Sequence, residues 1–67
     1  MKLSNLPKIV KKLREEKCLS QEKLARLADV SNNTIVNIEA GKQLNPTIET
    51  LMKIAKALDK NIDIFLK

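Results

Sequence analysis

At 67 residues with a formal net charge of +5, the chain is long enough for one domain with one modest core. Apolar residues make up 43% of it, yet Phe65 is the only aromatic, His is absent and Cys18 stands alone, which excludes an internal disulfide and strips a zinc site of its usual ligands. No run approaches the roughly 18 apolar residues of a membrane span, and the opening MKLSNLPKIVKK lacks a signal peptide's apolar stretch, so the cytoplasm is the expected compartment.

The first helical pattern runs from about Pro7 to Lys17, with Asn5 or Leu6 preceding it. Pro7 suits a first turn, and Ile9, Val10 and Leu13 form an apolar stripe with Lys8, Lys11, Lys12 and Glu15 outside it. Cys18 and Leu19 lead to Ser20, an N-cap for a second helix whose first turn holds Gln21 and Glu22 and whose apolar positions are Leu24, Leu27 and Ala28. After a turn at Asp29 and Val30, Ser31 caps a third helix, which buries Ile35 and Ile38 and stops at Gly41.

Lys42 to Asn45 form a loop that Pro46 ends. Thr47 or Asn45 caps a fourth helix, along which Ile48, Leu51, Ile54, Ala55 and Leu58 recur at helical period. The closing NIDIFLK has two readings. With Asn61 as a cap, Ile62, Phe65 and Leu66 share a helical face; at period two, Ile62, Ile64 and Leu66 share a strand face. A short fifth helix is preferred, because an isolated strand needs another chain to satisfy its backbone. The expected fold is all-α: a compact bundle of four to five helices over residues 1–67.

Residues 21–40, QEKLARLADVSNNTIVNIEA, carry the functional signal. Two short helices crossing steeply need a small residue where their backbones approach, and Ala25 fits. The second of them buries two isoleucines and turns amide side chains outward, as a helix-turn-helix does toward the DNA major groove. Asparagine can pair bidentately with the N6/N7 edge of adenine, which makes Asn32, Asn33 and Asn37 candidate base readers. Thr34 suits a thymine methyl or a phosphate. Gln21, at the start of its helix, suits a phosphate beside free N–H groups, and Lys42 and Gln43 lie just past the third helix, within reach of the same backbone. Each has an ordinary reading beside this one: asparagines cap and solubilise helix starts, and loop lysines are commonly just solvated. Charge adds to the case. Met1 to Arg26 hold eight Lys or Arg against three Glu, whereas the remainder holds five of each sign. Lys11 and Lys12 fit long-range attraction. Arg14 and Glu39 fit an ion pair that sets the angle between the first and third helices. With no His, no base for Cys18 and a single glycine, catalysis and cofactor binding find no support.

The segments LREEKCLSQEKLARLADVSNNTIVNIEAGK and PTIETLMKIAKAL resemble the Cro/C1-type, or xenobiotic-response-element type, helix-turn-helix regulators, and the similarity extends from Ile9 to Leu66. The resemblance implies a lambda-repressor-like domain of four or five helices that binds operator DNA, usually as a symmetric dimer and often to repress transcription. It implies that Gln21 contacts the DNA backbone and braces the recognition helix. By the same resemblance, Asn32, Asn33 and Asn37 read bases, Ser31 and Lys42 meet phosphates, and Arg14 and Glu39 form a buried ion pair. The family commonly has glycine where this chain has Cys18, Asp29 and Asp59.

Three functions are compatible with this reading: a small transcriptional repressor, a DNA-binding antitoxin with a cognate toxin as second partner, and a protein-interaction module without specific DNA binding. The strand-like tail favours the antitoxin slightly. A homodimer on double-stranded DNA is expected because one recognition helix covers only about four or five base pairs. Its surface is expected at Leu44, the end of the fourth helix and Ile62 to Leu66, with Phe65 or Ile64 alternatively completing the monomer core.

Overall fold

The computed structural model describes residues 5–66 apart from residue 44. Leu44, expected in the dimer surface, therefore lies outside the described residues. The fold is all-α: α1 (Leu6–Glu16), α2 (Gln21–Ala28), α3 (Asn32–Glu39) and α4 (Ile48–Ala57), followed by a single 3-10 turn, Ile62–Phe65. No helix among the described residues is long and apolar enough to cross a membrane.

Helix starts follow the capping residues. Ser20, Ser31 and Thr47 sit in extended backbone, and their hydroxyls accept the N–H of Lys23, Thr34 and Thr50 at 3.0–3.1 Å. Thr47, rather than Asn45, is thus the cap of α4. The first helix begins earlier than its stripe suggests. Asn5 gives its carbonyl to the N–H of Ile9 at 2.9 Å, and Leu6 is buried with Val10 and Leu13.

The four helices also end alike, in Schellman motifs. Leu19 N–H reaches back to Arg14 O at 3.1 Å, Val30 to Ala25 at 3.0 Å, Lys42 to Asn37 at 2.9 Å and Lys60 to Ala55 at 2.8 Å. Each motif needs a left-handed residue just before the returning N–H. Those residues are Cys18 (φ 57), Asp29 (φ 58), Gly41 (φ 77) and Asp59 (φ 58). Leu19 and Val30, the first residues past two of these turns, fold back onto the core.

One core forms where α2 packs on α3 and α4, α1 packs on α3, and the terminal turn packs on α4. Leu24, Ile35, Ile38, Leu51, Ile54, Leu58 and Phe65 are its largest fully buried side chains. Ala25 and Ala28 are buried on the side of α2 that its neighbours approach, as a close crossing requires. Two positions expected on apolar stripes depart from it. Leu27 is 54% exposed and Ile48 46%, because Leu24, Ala25 and Ala28 already take the core-facing side of α2 and because Ile48 lies on the side of α4 that no described element covers. In the tail the helical reading prevails. Asn61 caps the turn through Asp63 N–H at 3.2 Å, Phe65 completes the core, Ile62 packs beside it, and Ile64 stays exposed. The element is one 3-10 turn rather than a fifth α-helix, and Leu66 leaves it in extended backbone.

Candidate nucleic-acid interface

The third helix has eight residues, and its two buried isoleucines fix its orientation. With successive side chains turned by about 100°, Asn33 points almost directly away from the direction set by Ile35 and Ile38. Val36 and Asn37 lie roughly 50° to either side of that outward line, Asn32 roughly 90° from it and Thr34 roughly 110°. Asn32 and Asn33 are exposed, while Asn37, Val36 and Thr34 are half-buried. Asn33 and Asn37, one turn apart, therefore occupy one outward face, and Asn32 stands at its flank. Ser31 and Thr34 spend their hydroxyls largely on each other, 2.8 Å apart, at the helix start.

The far end of the helix is tied down by its own terminator. The carbonyl of Asn37 accepts both Lys42 N–H, at 2.9 Å, and Gln43 N–H, at 3.1 Å. These two hydrogen bonds hold the exposed Lys42 and Gln43 beside the Asn37 end of the outward face. Gly41 permits this return because it is left-handed.

A polar network secures the helix from the other side. Arg14 donates from Nε to Glu39 Oε2 at 2.7 Å and from Nη2 to Oε1 at 3.1 Å, a bidentate pair. Its Nη1 donates to the carbonyl of Leu19 at 2.6 Å, and Gln21 Nε2 donates to Glu39 Oε1 at 3.0 Å. The side chains of Arg14 and Glu39 are only 12% and 5% exposed. The hydrogen bond and charge of Glu39 raise the guanidinium pKa further above its ordinary value, although burial opposes this. One carboxylate thus joins the end of α1, the start of α2 and the end of α3. The Gln21 amide has a second N–H that this bond does not use.

Apart from Asn32, Ser31 and Thr34, which stand at the flank and start of α3, the residues named from the sequence fall into two groups. Asn33, Asn37, Lys42 and Gln43 gather along one side of α3, and Arg14, Glu39 and Gln21 form the brace behind it. Val36 shares the outward face and escaped a reading by residue type, because a valine in an amphipathic helix passes for core. Only its register against Ile35 and Ile38 singles it out.

The helix-turn-helix family model matches residues 10–65. An uncharacterized HTH-type transcriptional regulator of Rickettsia conorii is 41% identical over an alignment of 66 positions, which takes in 87% of this chain and 60% of the relative. This chain therefore spans about three-fifths of that protein's length. Among solved structures, the Bacillus subtilis regulator SinR in complex with DNA superposes with a TM-score of 0.88 at 32% identity, over 92% of this chain and 98% of that one. The P22 c2 repressor in complex with a synthetic operator superposes with a TM-score of 0.85 at 26% identity, over 96% of each chain. By name these relatives are a transcriptional regulator, a master regulator and a repressor. With its motif, its all-α fold and its braced third helix, the chain belongs to the helix-turn-helix family, among the Cro/C1-type DNA-binding domains.

Proposed function

We propose that residues 1–67 form one DNA-binding domain, with its motif at 21–40, which acts in the cytoplasm as a small transcriptional repressor. It lays α3 in the major groove of a double-stranded operator as a homodimer. The observation that carries this is the outward face of α3, where Asn33 and Asn37 stand one turn apart on a helix held by the Arg14–Glu39–Gln21 brace. Sequence-specific binding of double-stranded DNA is also the activity that SinR bound to DNA and the P22 repressor bound to an operator support. Asn33 and Asn37 read base edges, with Asn32 at the rim of the same face. Lys42, Gln43, the free N–H of Gln21 and the Ser31–Thr34 pair meet phosphates and set the register.

The second copy docks on the open side of α4. Ile48, Met52 (56% exposed) and Ile62 line a groove of about 940 Å³, and exposed Ile64 lies on the adjoining turn. Its rim carries Glu49 and Asp59 beside Lys53, Lys56 and Lys60, so a two-fold apposition can set acids opposite bases. A toxin partner drew its support from a strand-forming tail, and Ile62–Phe65 wind as a 3-10 turn instead, which favours the repressor.

Selection from random duplexes, followed by titration of the recovered site at two salt concentrations, tests the proposal. Binding is expected to be sequence-specific and to weaken with salt. Asn33→Ala is expected to lose discrimination at one or two base pairs, and Lys42→Ala to weaken all duplexes alike. A chain that enriches no sequence would be a protein-interaction module instead.

A further inference from the structure

We propose that Val36 is a specificity residue that reads the 5-methyl group of a thymine through apolar contact; this rests on α3 being the reading helix. Val36 is half-buried yet lies outside the core of the described residues, whereas Ile9, Leu19, Val30, Ala57 and Ile62, also partly buried, pack against that core. Its register puts it on the outward face, as close to the outward line as Asn37 and one turn from Asn32, Asn33 and Ala40. Thr34, the other side chain suited to a thymine methyl, is turned roughly 110° from that line and bonded to Ser31.

A branched apolar side chain at this place cannot bond a phosphate or a polar base edge. The apolar group that the floor of the major groove offers is the thymine methyl. Against cytosine the same valine would strand the N4 amino donor without a partner, so the contact both favours thymine and disfavours its competitor. Asn33 and Asn37 then contribute hydrogen bonding and Val36 contributes shape, within one turn of helix.

The test starts from the site recovered by random-duplex selection and replaces each thymine of one half-site in turn by deoxyuridine, which removes only the methyl. At one position the unaltered protein is expected to lose about fourfold in affinity, since removing a methyl-sized apolar contact costs ~0.8 kcal/mol. Val36→Ala is expected to bind the thymine and deoxyuridine duplexes equally and, in its own selection, to lose the preference for thymine at that position. Val36→Thr, nearly the same shape with one methyl exchanged for hydroxyl, is expected to retain part of the sensitivity. Far-ultraviolet circular dichroism melts check that both variants fold, as the position outside the core implies. A site without any methyl-sensitive thymine, or one whose sensitivity survives in Val36→Ala, overturns the assignment while leaving α3 as the reading helix. Failure of the unaltered protein to enrich any sequence removes the reading helix and this inference together.

Discussion

Three of the four helix terminators place an ordinary L-residue where the backbone is left-handed, and this has a measurable cost. A left-handed conformation is unfavourable by about 1–2 kcal/mol for a residue with a Cβ, less for Asp and Asn, whereas glycine adopts it freely. Glycine gives back part of that gain, because its unfolded chain has about 0.5–1 kcal/mol more conformational entropy to lose. Cys18, exposed and with φ 57, is the cleanest site. Cys18→Gly is expected to stabilise the domain by about 1 kcal/mol, and Asp29→Gly by about half that, because aspartate tolerates the conformation better. In a chain of this length about 1 kcal/mol corresponds to a rise in Tm of roughly 4–8 °C. Gly41 supplies the reciprocal test. A Cβ built there meets nothing within 4 Å, so Gly41→Ala changes backbone preference without a clash and is expected to cost about 1 kcal/mol. Urea unfolding followed by circular dichroism measures all three. The reasoning is refuted if Cys18→Gly lowers the midpoint, or if Gly41→Ala leaves it unchanged.

Further outcomes follow from the brace, the surface pair and the open groove. Arg14→Ala leaves the carboxylate of Glu39, 5% exposed, without its guanidinium and is expected to cost ~3–5 kcal/mol in urea unfolding, whereas Arg14→Met with Glu39→Leu is expected to recover most of that loss. The Asp59 carboxyl, 2.7 Å from Lys17 Nζ, is held below the usual carboxylate range by that hydrogen bond and charge. A carboxyl depressed in the folded state stabilises the fold above its unfolded pKa and loses that contribution as pH falls through the folded value. Asp59→Asn, which still tolerates the left-handed backbone, is therefore expected to flatten the acid limb of a plot of urea midpoint against pH. Met52→Lys, on an exposed position, is expected to keep the helical circular dichroism spectrum, shift sedimentation toward the monomer and weaken binding to a two-half-site duplex.

The helices were legible in the sequence because their signals are local. A serine or threonine cap, a 3,4 apolar spacing and one glycine state where a helix starts, faces and stops, and Ser20, Ser31, Thr47 and Gly41 do what their chemistry implies. Leu27 and Ile48 were misjudged because period reports only that a residue can face a neighbour, not that a neighbour is there. Leu24, Ala25 and Ala28 take the side of α2 that faces the core and leave Leu27 on its flank, and nothing among the described residues covers Ile48. The tail was ambiguous for a related reason. Ile62, Ile64, Phe65 and Leu66 satisfy both periods, and what separates them is a tertiary fact, the opening beside α4 that Phe65 fills.

The site divides along the same line. The amides of α3 could be named from residue type, but their usefulness depends on how firmly the helix is held, and that depends on contacts 18 and 25 residues apart in the chain. Glu39 accepts from Gln21 and Arg14 at one end of the network, while the carbonyl of Asn37 accepts from Lys42 and Gln43 at the other. The same two turns of helix thus receive a brace from behind and a clamp in front. Phosphate contacts made through Gln21 and Lys42 would act on the position of Asn33 and Asn37 directly, because each is bonded to the last turn of α3. On the proposed reading, backbone contact and base reading would therefore be coupled. Loss of the Gln21 amide is expected to blur sequence discrimination as well as weaken affinity, which a pure phosphate contact would not do.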